Sequence, residues 1–375
     1  MSALGAVSAP QDPIAAVIHA DPYPYYAELV ARRPIYRDEA LGLWVAADAA
    51  AVTAALTSEA TRVRPPAEPV PRALVGSTAG EIFRQLVRMN DGVMHLRLKP
   101  GVSAQLVTLD PARVAGQAAA SARRLVDELD PGAHVGAVSD FAFRLPVYVV
   151  ASLLEVEPGA LAPAAAWTSD FVQCLAPSAT PEQIERGKGA ADELARLFRT
   201  RLGRAEVDAA VANTIGYLSQ AYEATAGLIG NTLVALGRHP EVRARIPAET
   251  GLLGAVVREV VRHDAPVQNT RRFLAVDRVL AGQAMKTDDA VLVVLAAANR
   301  DPSVNPHPER LDPLRRERRA YTFGFGAHAC PGEALATAIA EAGVSQLLAT
   351  GLDPERLVER VTYRPSGNVR VPVFA

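Results

Sequence analysis

Ten residues constrain this chain more than any others: Phe323-Gly324-Phe325-Gly326-Ala327-His328-Ala329-Cys330-Pro331-Gly332. Glycines at alternate positions admit turn geometries closed to other residues and let the backbone approach a flat ligand closely. The stretch presents one cysteine directly before an Ala-rich helical run, Glu333 to Ala342. A thiolate placed there points out of a rigid loop near a helix N-terminus, whose dipole favours negative charge.

That arrangement suits the holding of haem iron by sulfur, the ligation that pushes electron density toward O–O cleavage. The order Phe-Gly-x-Gly-x-His-x-Cys-x-Gly resembles the haem-binding signature of the cytochrome P450 family, and all six specified positions match. The resemblance implies haem b with Cys330 as its axial thiolate ligand, in a loop shaped by Phe323, Gly324 and Gly332. It also implies a fold that is mainly α with minor β sheets: a single triangular domain, residues 1–375, around a buried haem.

A chain of 375 residues, 49% hydrophobic, has material for one large core or two ordinary ones. Its net charge of −2 gives no argument for nucleic acid or an anionic membrane as partner. Cys174 and Cys330 are the only cysteines, which fits a reducing cytosol, and Cys174 reads as a small buried hydrophobe. No signal peptide and no run of about 20 apolar residues is visible, so a cytoplasmic, monomeric protein is expected.

No repeat or composition break marks a domain boundary. Tyr23 to Leu29 reads as helix, with short strands at Ile35-Tyr36 and Leu43-Trp44-Val45. Pro65 to Pro71 is too Pro-rich for a helix or central strand. Most of Ala112 to Arg238 reads as helix, and strands return at Arg272 to Leu274, Val291 to Leu295 and Tyr363 to Phe374. The connection between Arg199 and Val211 is short for the family.

Glu259 and Arg262 stand three apart on one helix face, where they can pair. With Pro266-Val267-Gln268 and Arg271 after them, they resemble the family's helix-to-strand junction beneath the haem. The resemblance makes Arg310 the third member of a Glu-Arg-Arg network that locks the cysteine loop. It also places His95, Arg271 and His328 on the haem propionates, which need cations or strong donors if buried. Lys99 stands where the family usually has arginine; it keeps the charge and loses the bidentate fork.

Val207 to Arg238 reads as one helix of about 32 residues, roughly 48 Å long. It resembles the family's central helix, in which an acid and an alcohol help deliver protons during dioxygen activation. Here Gln220-Ala221-Tyr222-Glu223-Ala224-Thr225 supplies the acid, Glu223, but a methyl at Ala224 and a glutamine at 220. Thr225 lies about 100° further round the helix and cannot stand in for residue 224. Gly216, Ser219 and Gln220 share a face with Ala224 by 3–4 spacing and make a polar pocket floor.

Two readings follow. Water or the substrate can complete the relay of an ordinary monooxygenase of small or medium organic molecules in bacterial specialised metabolism. Alternatively the site has moved to peroxide-driven oxidation, cyclisation, coupling or rearrangement. A third reading, from another class, is a catalytically idle homologue acting as a partner protein; an intact cysteine loop argues against it. Arg310, Arg315, Arg316, Arg318 and Arg319 cluster before the cysteine loop. In the family the surface over the thiolate receives an acidic ferredoxin, itself served by a ferredoxin reductase. The cluster is read as that docking patch.

Overall fold

The computed structural model describes residues 8–375. The first part of the chain runs through α1 (Tyr23–Arg32), β1 (Ile35–Asp38), β2 (Leu43–Ala46), α2 (Ala49–Thr57), β3 (Thr61–Arg62), α3 (Thr78–Gln85), α4 (Gly92–Val107), α5 (Pro111–Leu129), α6 (Ala137–Leu153), α7 (Leu161–Cys174), α8 (Pro181–Leu202) and α9 (Ala209–Arg238). There follow α10 (Pro240–Arg245), α11 (Leu252–His263), β4 (Thr270–Leu274), β5 (Arg278–Leu280), β6 (Gln283–Met285), β7 (Ala290–Val293), α12 (Leu295–Asn299), α13 (Glu333–Ala349), α14 (Pro354–Val358), β8 (Thr362–Tyr363) and β9 (Pro372–Val373). The architecture is mainly α with minor sheets.

Local chemistry sets several of these boundaries. Thr180 and Gln183 form a reciprocal capping box, Pro181 opens α8, and Gly203 closes it in the left-handed region. The apolar pattern of the long helix begins at Val207, yet α9 starts at Ala209 because the Asp208 carboxylate accepts the Val211 N–H. The α8–α9 connection is therefore residues 203–208. At the C-terminal end the alternating pattern yields only a two-residue ladder, Thr362 with Val373 and Tyr363 with Pro372. Prolines at 365 and 372 each lack the N–H that a longer ladder would use.

The chain forms two compact units interleaved in sequence. Among the described residues, the first takes 8–61, 227–330 and 351–375. It is built on a five-stranded sheet of order β1-β2-β7-β4-β3, with β2 and β7 parallel. Side chains of β7 alternate between two cores. Val291 and Val293 join Val52, Leu56 and Leu274 on the α2 side, while Leu292 and Val294 join Tyr26, Leu29 and Val45 on the α1 side. Both faces of the central strand are buried, which is why it reads as a continuous apolar run.

The second unit takes residues 62–226 and 331–350 and contains the helices from α3 to the first half of α9, with α13. Helices α5, α6, α7 and α8 pack in succession, and α13 lies against α5 and α6. Cys174 is part of that packing: a Cβ on Gly187 would sit 2.5 Å from its sulfur. Burial pushes the Cys174 thiol up to about 11, which keeps it an unreactive core group. Among the described residues, no helix is long and apolar enough to cross a membrane.

Candidate active site

The cysteine loop belongs to the first unit, and its backbone closes on itself. The Gly324 N–H donates to Tyr321 O, and the Cys330 N–H donates to Phe323 O, both at 2.7 Å. Gly324 and Gly326 adopt φ of +73° and +70°. A Cβ on Gly324 would lie 3.3 Å from the His328 carbonyl oxygen, and one on Gly326 would lie 3.1 Å from Thr57 Cγ2. His328 ends a short 3-10 turn, Gly332 is the N-cap of α13, and Cys330 is exposed.

Beneath the loop lies a network of buried charge. Glu259 and Arg262 on α11 are both fully buried and pair at 2.6 Å. Burial alone would raise the Glu259 pKa; hydrogen bonds from Arg262 and Arg318 more than offset it, and the net shift is downward. Arg262 also donates to Pro308 O and Arg310 O, each at 2.9 Å. From there Asn299 and Asn305 carry the network on. Tyr321 N–H donates to Asn299 Oδ1, Asn299 donates to Thr322 Oγ1, and Thr322 donates to Val261 O. The loop is thus wired to α11 up to the residue before Phe323.

The structure corrects one member of this network. The Arg310 side chain is exposed and contributes only its carbonyl. Arg318 takes the expected place, donating to Glu259 Oε2 at 2.8 Å, and Arg315 adds a longer contact of 3.4 Å to Oε1. The reason lies in chain direction. Pro308 and Arg310 turn their backbone carbonyls toward Arg262, which sends the Arg310 side chain outward. The docking patch shrinks accordingly: Arg315 and Arg318 face inward, leaving Arg310, Arg316 and Arg319 exposed. Sequence reasoning could see five arginines but not which of them met Glu259.

Arg271 is exposed on β4, between the half-buried Thr270 and the buried Arg272. In the second unit, His95 is the buried residue of an otherwise accessible α4, and Lys99 is half-buried one turn on. Helix α9 is buried over most of its circumference. Tyr217, Gln220, Ala221, Glu223 and Ala224 are the positions from 211 to 236 that remain accessible. They recur at helical spacing and mark one open stripe.

The proposed pocket floor is corrected on this helix. Gln220 and Ala224 lie on the stripe, but Gly216 and Ser219 are buried. Gly216 faces Leu86, whose Cδ2 a Cβ there would meet at 2.9 Å, and the Ser219 hydroxyl donates to Gly216 O. Gln220 also turns back: its Nε2 donates to the same carbonyl at 2.9 Å. Thr225 is buried with its hydroxyl unpartnered, so it offers no hydroxyl on the stripe.

Comparison with known proteins bears on this arrangement. The family model for cytochrome P450 matches residues 203–350. Cytochrome P450-SU2 of Streptomyces griseolus is 30% identical over 282 residues, 70% of this chain and 68% of that one. The chain belongs to the cytochrome P450 family. A second relative, the 6-deoxyerythronolide B hydroxylase of Saccharopolyspora erythraea, is 28% identical over 95% of this P450 and 96% of its own length. The fold matches solved P450s as well. P450BioI, crystallised with hexadec-9Z-enoic acid ligated acyl carrier protein, superposes with a TM-score of 0.79 at 23% identity, covering 94% of this chain and 98% of its own.

The family is one of oxidoreductases that bind haem through a cysteine thiolate. The loop of this P450 fits that group: its thiol is accessible, its backbone is closed by its own hydrogen bonds, and side chains at Gly324 and Gly326 would strike their neighbours.

Proposed function

We propose that this protein oxidises a small or medium organic substrate as a cytoplasmic haem b enzyme of bacterial specialised metabolism, with monooxygenation as its reaction. The observation that carries this reading is the Cys330 loop, closed on itself and braced by the buried Glu259 network. Bound haem with thiolate ligation supplies the activation of dioxygen or peroxide. The chain's own residues do the rest. Cys330 would hold the iron, while His95, Arg271, His328 and Lys99 would meet the propionates as hydrogen-bond donors or cations. Glu223 would hold a proton for delivery to the oxidant, and Gln220 and Ala224 would line the space for substrate. The two interleaved units work as one domain in a monomer, a reading supported by α9 being a single continuous helix of 30 residues.

A second reading, changed chemistry without ordinary oxygenation, is favoured by one observation. Beside Glu223 the stripe of α9 offers no aliphatic hydroxyl, since residue 224 is alanine and Thr225 is buried, and the Tyr217 hydroxyl further up is committed to Val102 O. Turnover with a ferredoxin system and dioxygen, set against turnover with hydrogen peroxide alone, separates the two. An idle partner protein would be betrayed by purification without haem. The primary test is spectral. Reduced protein with carbon monoxide should show the red-shifted Soret band of thiolate ligation, and Cys330→Ser should abolish it. An unshifted band in folded wild type would sink the assignment.

For electron delivery, exposed Arg310, Arg316 and Arg319 support docking of an acidic ferredoxin. Reversing Arg316 and Arg319 to Glu should slow reduction several-fold at low salt, with the difference fading as the Debye length falls below ~10 Å. Equal rates at low salt would return these arginines to an ordinary solvated face.

A further inference from the structure

Asn299 and Thr322 wire the cysteine loop to α11 only as far as Thr322. Beyond that point the chain passes through Gly324 and Gly326, both at positive φ, with Phe325 between them. Glycine bends freely, so the ring of Phe325 is the handle by which this turn can be held. The ring is half-buried against the core on the α2 side, beside Val52, Leu56 and Tyr321. Tyr321 meets it edge-on, with centroids 6.1 Å apart and planes at 64°. Tyr321 is itself fixed. Its N–H donates to Asn299 Oδ1, and its hydroxyl lies 3.0 Å from Thr53 Oγ1 and 3.3 Å from Ala49 O.

A third group on the ring is Arg319. Its guanidinium carbon lies 4.4 Å from the Phe325 centroid and 5.4 Å from that of Tyr321. Arg319 is exposed, and an exposed arginine ordinarily samples many rotamers. Here Asn305 pins its backbone twice, accepting the Arg319 N–H at 3.0 Å and donating to Arg319 O at 2.8 Å. Arg315 and Arg318 turn to Glu259, but Arg319 makes no ion pair with any described residue. What orients its guanidinium is the aromatic pair, since a cation over a ring face is attracted by the ring's quadrupole.

We propose that Arg319 is a positioning residue of the cysteine loop. By capping Phe325 it fixes the turn between Gly324 and Gly326 and so keeps the Cys330 sulfur presented to iron. This role differs from partner docking, which would use the charge of Arg319 together with Arg310 and Arg316. What matters for the loop is contact with one ring. The role rests on the reading that haem is bound through Cys330.

The test follows ferrous holoenzyme with carbon monoxide, reduced chemically so that no partner protein takes part. At a fixed, sub-denaturing urea concentration, loss of the thiolate bond converts the red-shifted Soret band to the unshifted one. The rate of that conversion reads how firmly the loop holds the sulfur. Arg319→Gln should speed it about 2- to 5-fold, with no matching fall in melting temperature. Arg319→Lys keeps a cation for the ring and should stay closer to wild type. Arg316→Gln removes an equal charge without touching Phe325 and should convert at the wild-type rate. In a Phe325→Leu background, Arg319→Gln should add little, because the contact is already gone. A wild-type rate in Arg319→Gln overturns the proposal. So does an equal acceleration in Arg316→Gln, which would make the effect one of net charge, or an undiminished acceleration in the Phe325→Leu background. A melting temperature that falls in step with the faster conversion also overturns it, making Arg319 a general brace. If wild type shows no red-shifted band, the haem-thiolate reading fails first and takes this proposal with it.

Discussion

The region around Glu259 and the open side of α9 treat polar groups in opposite ways. At Glu259 each carboxylate oxygen is met by a guanidinium, and Arg262 goes on to bind three backbone carbonyls. Along α9, Gln220 spends only its amide N–H on its own helix. Charge taken wholly out of water must be satisfied by the fold itself, which makes the first region rigid. Polar groups that stay accessible can be left for a ligand. One region braces the cysteine loop, and the other keeps polar side chains accessible.

The largest expected effect breaks the first region. Glu259→Ala leaves several guanidiniums facing no carboxylate and should cost about 3–5 kcal/mol, with loss of haem. Arg318→Ala should cost less, about 1.5–3 kcal/mol, and Arg310→Ala should stay within about 0.5 kcal/mol. Thermal unfolding of the three variants decides whether Arg318 or Arg310 is the working member. A destabilising Arg310→Ala with a silent Arg318→Ala would reverse the assignment.

A smaller effect comes from His263, at the end of α11. Burial, and then the Arg300 charge, hold its pKa well below the usual histidine value, and the neutral ring donates from Nε2 to Glu309 O. Tyr23, His239 and Arg262 also face it, with no carboxylate in contact with the ring. Because the folded pKa is the lower one, the unfolded chain binds the proton first. His263 therefore contributes its full stability above about pH 6.5 and loses it as pH falls below that, by at most about 1.4 kcal/mol per pH unit for one proton. His263→Gln should flatten the melting-temperature profile between pH 7 and 5. A profile as steep as wild type would remove His263 from the account.

The smallest effect on stability belongs to α9. Gly216→Ala gains about 1 kcal/mol of helix propensity and loses a similar amount against Leu86, so the melting temperature should barely move. The same Cβ comes within 3.1 Å of Gln220 Nε2 and should push the amide onto the open stripe. Affinity for phenylimidazole should then shift several-fold while unfolding does not. If Gly216→Ala melted like Glu259→Ala, the contrast between the two regions would collapse.

Much of this protein was legible from its residues. The cysteine loop, the helical character of the long segments and the i,i+3 pair at Glu259 are local, set by glycine geometry, periodicity and one turn of helix. The strands at Leu43 to Val45 and Val291 to Val293 were visible as apolar runs for the same reason. What the sequence could not order was everything decided by chain reversal. Five arginines within ten residues look alike on paper, and only the turn through residues 308–318 selects Arg318 for Glu259 and turns Arg310 outward. Likewise, helical spacing put Gly216 and Ser219 beside Ala224, but the packing of Leu86 buried them and left Gln220 open. Sequence determines what each side chain can bind; the fold decides which partners come within 3 Å and which are kept for a ligand.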